Sequence, residues 1–568
     1  MAQNVKTIIR SARKTGRRFS TLKKEHVDRT LPSDTHVEEI LPFSQLRDKE
    51  IASLLNKYHI GLTVEEAKKI RRILKRDPTL TEVVIWGIQG SEHSSYKSSK
   101  RHLKLLPTQA PNVMLGPSED SGIIEIARTK KERFGIVMAH ESHNHPSQVV
   151  PYEGSATGVG GIVRDVLCMG AHVIAIADPL RFGDIKKAES LLTAEGVVDG
   201  IGGYGNPIGV PNIAGDVYFD KSFNDNCLVN VVALGLLEEK EIIHSRAPKG
   251  AGKKGYDIII VGKPTDRSGM GGAAFASKTL REQDKGKNKG AVQEPNPFLK
   301  RHILESTYEL FRILKDKKLI DDVGFKDLGA GGVMCASFCW IVPPRITQMV
   351  LDHYNKRWAF SEIATGAGAG VIGKVTSNKN YVLRYKGAVV CEARAQDICE
   401  ALLYNRPFKP RRVSYKEPRL SMPRDLEKVF LQLLSHENIA SRKPIFESYD
   451  KNVQGSVLLE AGQADAGVIL PFLNRADADE SLKKIAVSLS VDGNPRYGKI
   501  SPYWQAVNAN PFFAPDAEVV GRLEEYITGH FGKRESVQSF RQGFDSSTGD
   551  HRDIGAGGRY GKNYYAVI

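Results

Sequence analysis

The sequence predicts an α/β (α+β) protein, and three patterns predict it. From Ser91 to Leu237, glycine-rich turns alternate with short β-branched runs. The run Asp257-Ile-Ile-Ile-Val261 opens a second stretch of the same texture, followed by the amphipathic segment Phe298 to Lys315. Ahead of both, Ala67, Ile70, Ile73 and Leu74 recur at the spacing of a helix face.

Taken in order, residues 1–50 form a basic extension. No acidic residue occurs from Met1 to Lys24, where Lys6, Arg10, Arg13, Lys14, Arg17, Arg18, Lys23 and Lys24 are basic. An organellar transit peptide has that composition; a disordered basic tail has it too, and is the reading adopted. Residues 51–90 read as a small helical module. Thr63 followed by Glu66 makes a capping box, and Asp77-Pro78 ends the helix. Residues 91–245 form a first α/β domain, with strands at His172–Ala177 and Leu228–Leu234 and a helix at Lys186–Thr193. Residues 246–410 form a second. There the strand at Asp257 and the helix at Phe298 flank a charged loop, Arg281–Gly290, and a strand–helix pattern follows from Pro343 to Gly373. Residues 411–568 hold a linker, Lys409–Pro423 at its start, and a third region from Leu426 carrying Tyr449–Gly455 and Val491–Gly498. From about Arg541 the chain is polar and glycine-rich, which predicts little packed structure.

Composition narrows the function classes. With 568 residues, 41% hydrophobic and 26% charged, the chain suits three or four globular domains. No stretch reaches the roughly 20 apolar residues of a membrane span, so a soluble protein is expected, and no membrane partner. Six cysteines without a CxxC pair read as reduced core thiols of a cytoplasmic protein. A zinc pair at Cys335 and Cys339 would need two further ligands, and no second pair exists. The net charge of +15 suits nucleic acid, acidic membranes or anionic nucleotides.

Four clusters carry chemistry. Ser91–Lys100 is a polar loop of hydroxyls with His93, Tyr96, Lys97 and Lys100, suited to phosphate. His140-Glu-Ser-His-Asn-His-Pro-Ser147 holds three histidines and a carboxylate. It reads either as an HxH metal centre or as a magnesium carboxylate beside histidines that bind or deprotonate substrate; it is not HExxH, which excludes the helical zinc-protease geometry. Gly154-Ser-Ala-Thr-Gly-Val-Gly-Gly-Ile-Val-Arg-Asp165 offers glycines that let backbone amides approach phosphate. Its Arg164 suits a forked phosphate contact and its Asp165 a magnesium ion. Lys326-Asp-Leu-Gly-Ala-Gly-Gly332 is a second carboxylate–glycine corner, or simply a turn. Together these point to magnesium-dependent nucleotide chemistry. GxxxxGK[ST] and the kinase catalytic loop are both absent.

In this order the clusters resemble phosphoribosylformylglycinamidine synthase, in its large synthetase subunit. SEHSSYKSSK (91–100), ESHNHPS (141–147), GGIVRDVLCMGA (160–171), DPLRFG (178–183), GYGNPIGVPNIAGDVYFD (203–220), DRSGMGGAAFAS (266–277) and DLGAGG (327–332) carry the resemblance, which resumes from Trp340 to Asn508. It implies pseudo-symmetric, aminoimidazole-ribonucleotide-synthetase-like domains behind a small helical module. It implies an ATP-dependent ligase of de novo purine biosynthesis that converts formylglycinamide ribonucleotide to formylglycinamidine ribonucleotide. The amide oxygen attacks the γ-phosphate, and ammonia derived from glutamine displaces phosphate from the resulting iminophosphate. The resemblance gives His93 and His143 catalytic positions, His143 as proton acceptor, and Tyr96 an ATP contact. It gives Ser142, His143, Asn144, His145, Arg164 and Gln293 to the substrate, and Glu141, Asp165 and Asp327 to magnesium. ATP and Mg2+ are the implied ligands. A separate glutaminase subunit and a small bridging subunit are the implied partners, because no glutaminase nucleophile is present.

Three departures stand against the resemblance. Ala139 occupies the place, two before Glu141, where the family often has a basic ATP contact. A Ser-Glu-x-Gln-Glu-Arg substrate motif and its strand are missing after DLGAGG, where Cys339-Trp340 follows almost at once; losing a strand predicts unpaired backbone groups in a sheet. After SPYWQAVNA (501–509) the second catalytic-type half is not visible. The chain thus reads as a family member with an internal deletion and a truncated second half. The alternative is an incomplete, catalytically inactive nucleotide-binding homologue. A zinc hydrolase and a nucleic-acid binder are the remaining readings, the latter tied to residues 1–24.

Overall fold

The computed structural model describes residues 38–105, 108–263, 289–329, 338–407 and 421–491, a few isolated residues between these stretches, and the backbone of two late strands. The basic run Met1–Lys24, Cys335, SPYWQAVNA and the stretch where the missing motif would fall lie outside the described residues. So do most of DRSGMGGAAFAS, the Arg281–Gly290 loop, the Lys409–Pro423 linker and Val491–Gly498.

The N-terminal module has three helices where the sequence reading gave one: α1 (Asp48–Lys57), α2 (Val64–Leu74) and α3 (Leu80–Gln89). The Thr63/Glu66 capping box starts α2, and a second box, Thr79/Glu82, starts α3. Asp77-Pro78 lies in the turn between them, and α2 ends earlier, on Lys75 at φ 58°. Both box glutamates are buried and paired. Glu66 meets Lys97 and accepts from the Tyr404 hydroxyl at 3.0 Å. Glu82 takes two bonds from Arg76 at 2.6 and 2.8 Å and one from the Glu392 amide at 3.0 Å.

A six-stranded sheet follows: β1 (Val113–Leu115), β2 (Gly122–Arg128), β3 (Arg133–Ser142), β4 (His172–Phe182), β5 (Asn212–Phe219) and β6 (Leu228–Glu238), in the order β1-β2-β3-β6-β4-β5. Only β4 and β5 pair in parallel. β4 and β6 are covered on both faces, hence their near-continuous apolar runs. On one face lie α4 (Asn144–Val149), α5 (Pro151–Cys168) and α6 (Ala188–Ile208). The reading Lys186–Thr193 thus stops a long way short of the end of α6. Its glycines read locally as breaks, but they admit close neighbours: a Cβ at Gly200 would collide with the Ser155 hydroxyl and the Tyr152 carbonyl on α5.

On the sheet's other face, Ile174, Ile213, Val232 and Leu234 pack against Ile469, Phe472, Val487 and Leu489 of the third region. There β13 (Val457–Leu459), β14 (Gly467–Ile469) and β15 (Ala486–Leu489) join β16 (Val537–Phe540) and β17 (Asn563–Val567) in the order β13-β14-β15-β17-β16. Past Arg541, where the sequence predicts little packed structure, the described residues are the strand Asn563–Val567; the rest of that stretch lies outside the described residues. Asn563-Tyr-Tyr-Ala-Val567 is aromatic and β-branched, and it pairs the otherwise open edge of β15 in parallel.

The second α/β unit has β7 (Asp257–Gly262), β8 (Gly324–Asp327), β9 (Phe338–Val342) and β10 (Gly368–Lys374), in the order β10-β7-β9-β8. Its long helix, α7, spans Pro297–Asp316. Among the described strands no gap separates neighbours. β9 pairs with β7 on one side and β8 on the other, with Phe338 opposite both Val261 and Asp327. Phe325 and Trp340 stack at 4.0 Å between centroids, locking β8 to β9. Cys168, Cys227, Cys339 and Cys391 are buried, and Cys399 is exposed. No helix of the described residues is long and apolar enough to cross a membrane.

Candidate active site

The histidine cluster is a strand-to-helix corner. β3 ends at Ser142 and α4 begins at Asn144. Two bonds to Val229 of β6 fix the turn: the His143 amide donates to its carbonyl at 2.7 Å, and its amide donates to Asn144 Oδ1 at 2.8 Å. His143 Nδ1 bonds the Gly154 carbonyl at 2.5 Å. A carbonyl only accepts, so the proton sits on Nδ1 and the Nε2 lone pair remains for another partner.

The glycine run 154–165 is not a phosphate loop. It forms most of the buried helix α5, so its amides are spent on the helix ladder. The glycines admit site residues instead. A Cβ on Gly158 would lie 3.0 Å from His143 Cβ, and one on Gly161 would lie 2.8 Å from Glu141 Oε1. The Ser91–Lys100 stretch is likewise not a plain loop; Glu92–Ser95 and Lys100–Leu103 are single helical turns.

One cavity of about 260 Å³ gathers His93, Glu141, His143, Arg164, Asp165, Gln293 and Asp327. An adjoining pocket of about 130 Å³ shares His93, His143 and Gln293 and adds Ser142, Asn144 and His145. Ten of the eleven sequence-predicted residues therefore converge. Tyr96 does not: it is 53% exposed, caps its helical turn in the left-handed region, and lines neither space. Asp120 and Lys326 line the larger cavity and were missed. The signals were an acidic turn just ahead of β2 and the lysine that opens the KDLGAGG run. The two bond each other, and Asp120 also accepts from the Asp327 amide at 3.1 Å.

Four carboxylates, Asp120, Glu141, Asp165 and Asp327, thus share one concave wall. Burial pushes Glu141 up to about 7, against the pull of Arg164 and with the help of Asp327. Burial also raises Asp165 well above the carboxylate range, and Asp327, Glu141 and Asp120 add to it. Asp327 is the exception. Burial would raise it, but Arg164, a bond from the Gly329 amide and the nearby Lys300 hold it below its ordinary value. Arg164 Nε bonds Asp327 Oδ1 at 2.7 Å, with both side chains under one-tenth exposed. For His143, burial dominates. Together with His93 and Arg164 it outweighs the Gly154 bond and brings the imidazole down to about 4, so the ring is neutral near pH 7.

Behind this wall, Lys300 of α7 is 4% exposed, and its amine has no hydrogen-bond partner among the described residues. It sits 4.8 Å from the ring centre of Phe338. Burial, reinforced by Arg164, lowers its pKa well below the usual lysine value, while Asp327, Cys168 and Asp165 oppose the shift. Nothing in the sequence marked it, because a lysine in the first turns of an amphipathic helix reads as solvated.

Residues 118–237 match the family described as AIR synthase related protein, N-terminal domain, and residues 51–97 match the formylglycinamide ribonucleotide amidotransferase linker domain. Fold and site together define an AIR-synthase-related protein. The chain is 44% identical over 538 residues to phosphoribosylformylglycinamidine synthase subunit PurL of Methanothrix thermoacetophila, covering 87% of this chain and 68% of that protein. It is 35% identical to PurL of Pyrococcus horikoshii, over 78% of this chain and 63% of the relative. With that of Prochlorococcus marinus it shares 32% identity, over 83% and 65%. The chain belongs to the family of phosphoribosylformylglycinamidine synthase subunit PurL. It spans about two thirds of the length of these relatives. Its fold is similar to that of Thermotoga maritima PurL complexed with FGAR, with a TM-score of 0.56 and 23% identity, over 82% of this chain and 72% of that one. The likeness to the same protein complexed with ATP has a TM-score of 0.53, at 23% identity, over 72% and 64%.

Proposed function

We propose that this chain catalyses the ATP-dependent conversion of formylglycinamide ribonucleotide to formylglycinamidine ribonucleotide, using ammonia from glutamine, in de novo purine biosynthesis. The observation that carries the reading is the convergence of ten residues, from five separate stretches of chain, on two adjoining spaces. Membership of the PurL family supports it, as do the relatives' names.

The roles follow the chemistry of the wall. An amide oxygen leaves poorly, so it must be phosphorylated before ammonia can replace it. His143 keeps an unprotonated Nε2 toward the cavity system and is the proton acceptor; His93 stands beside it. Ser142, Asn144, His145 and Gln293 line the smaller pocket and orient the ribonucleotide, with Arg164 as its phosphate contact. Tyr96 is an ATP contact at the exposed rim.

Glu141, Asp165 and Asp327 would hold magnesium, which offsets charge on the transferring phosphoryl group when bound. The donor set fits. Two of the three carboxylates are driven toward protonation by burial and, second to it, by neighbouring carboxylates; a divalent cation offsets both. Among the described residues no three His, Cys, Asp or Glu side chains are grouped so as to hold one metal ion between them. Magnesium can be held by one or two carboxylates, with water and phosphate completing its shell.

The domains proposed are 1–50, 51–90, 91–245, 246–410 and 411–568, in a cytoplasmic protein. Partners are a glutaminase subunit and a small bridging subunit; a PurLQS assembly is known for the Thermotoga protein. The test is ADP release by the purified chain with formylglycinamide ribonucleotide, magnesium-ATP and concentrated ammonium salt. Substrate-dependent release should fall roughly 100- to 10,000-fold in His143→Ala. A folded wild-type chain that releases none would refute the assignment.

A further inference from the structure

Arg164 and Asp327 are assigned above to different ligands, one to a phosphate and the other to a divalent cation. In this structure each is the other's partner. Arg164 Nε meets Asp327 Oδ1 at 2.7 Å, the two side chains are 4% and 8% exposed, and both line the same cavity. Taking one member from a buried ion pair strands the other charge in a poorly solvating place. A cation that captures Asp327 on its own leaves the guanidinium without its anion. A phosphate that captures Arg164 on its own leaves Asp327, beside Glu141 and Asp165, with the Gly329 amide and the nearby Lys300 but without its guanidinium. If both ligands arrive, each displaced charge receives a new partner of opposite sign, and neither penalty remains.

We infer that the Arg164–Asp327 pair is an exchange latch, which makes a divalent cation and a phosphate monoester bind cooperatively without touching each other. The inference rests on the roles proposed above for these two residues. By linkage the effect is reciprocal: each ligand raises the affinity for the other by the same factor. The pair thereby resists either ion alone, and the cation is recruited with the substrate.

The test is Mn2+ binding to the full chain, followed by electron paramagnetic resonance, with and without saturating D-ribose 5-phosphate. Free Mn2+ is corrected for its weak complex with the ester. The wild type should bind Mn2+ roughly 10-fold more tightly with the ester present, within the usual range of coupling factors. Arg164→Met should bind Mn2+ more tightly than wild type without the ester, and adding the ester should change nothing. If that variant does not fold, the double variant Arg164→Met/Asp327→Asn, which leaves no lone charge, should show no coupling in either direction.

A wild type that binds Mn2+ equally with and without the ester overturns the latch. So does coupling that persists in either variant, which would mean direct contact between the ligands. Asp165→Asn separates this failure from failure of the metal assignment. If it loses Mn2+ while the wild type shows no coupling, the metal assignment stands and the latch falls. If the wild type binds no Mn2+ at any ester concentration, both fall.

Discussion

The Tyr449 hydroxyl donates to Oδ2 of Asp178 at 2.7 Å, joining residues 271 positions apart. Asn212 Nδ2 bonds the other carboxyl oxygen at 2.9 Å, and all three side chains are buried. The contact clamps the third region of the chain onto the first sheet. Nearby, the Asn212 amide donates to the Asp450 carbonyl at 3.0 Å, and Gln454 reaches the carbonyls of Val173 and Gly209.

Burial drives Asp178 up to about 7, against the bonds from Tyr449 and Asn212. An unfolded aspartate titrates near 3.9. The folded chain therefore keeps a proton that the unfolded chain releases between those values. This contribution to stability is complete below about pH 4 and is lost as pH rises through 7. Asp178→Asn, neutral at every pH, should lack the decline. Relative to it, wild-type stability should fall by up to about 1.4 kcal/mol per pH unit between pH 4 and 7. Urea unfolding of both proteins at several pH values checks this, and parallel curves would refute it.

Lys300 gives a second prediction. A buried amine without a partner carries its full desolvation cost, and an apolar side chain of similar length does not. Lys300→Met should stabilise the chain by about 1–3 kcal/mol. The midpoint of denaturant unfolding measures it. A loss of stability would mean that the amine has a compensating interaction.

Gly161 tests the close approach of α5 to β3. A methyl group there would sit 2.8 Å from Glu141 Oε1, the movable end of a side chain. Gly161→Ala should displace that carboxylate rather than the helix. Helix propensity should then offset most of the strain, with stability changing by less than about 1 kcal/mol, while Mn2+ affinity drops roughly 10- to 100-fold. Equal Mn2+ binding by variant and wild type would show that Glu141 is not a ligand.

Glu141 itself predicts a pH dependence. Raised to about 7, it holds a proton below that pH that a cation must displace. Mn2+ should therefore raise the melting temperature more at pH 8 than at pH 6, its affinity falling by up to about tenfold per unit below pH 7 for one proton displaced. In Glu141→Gln the difference between the two pH values should narrow, leaving only the part that the raised Asp165 contributes. Calorimetry at the two pH values, with and without the ion, decides the matter.

The sequence was most legible where one local signal decided the outcome. The runs at His172, Leu228 and Asp257 are covered strands, and their β-branched continuity marks them as such. Helix α7 begins and ends within a residue of its amphipathic pattern. Most of the grouped residues lie in short motifs, so their grouping was readable; Gln293 joins them from outside any motif, and Tyr96 lies in a motif but not in the group. What stayed hidden depends on distant partners. The glycines of α5 and α6 read locally as loop or break, yet they serve contacts with Tyr152, Ser155, His143 and Glu141. Asp120 gained its place only when β8 brought Lys326 and Asp327 beside it. Lys300 is buried because β9 lays Phe338 over it, a pairing that no pattern near residue 300 announces.

The buried Glu82 also bears on how the chain is made. Its amide partner, Glu392, is synthesised 310 residues later, and Tyr404, which bonds Glu66, follows 338 residues after that glutamate. At roughly 5–20 residues per second, translation leaves the N-terminal helices waiting about 15–60 s for these partners. During that interval both carboxylates lack part of their final hydrogen bonding, and the surface that will meet β12 (Ala388–Arg394) stays open to solvent. His93, which directly follows α3, is thus carried by a piece of the molecule assembled from both ends of the first 404 residues. A ribosome-bound chain released short of that point would carry His93 beside a helical module whose two buried glutamates still lack Glu392 and Tyr404.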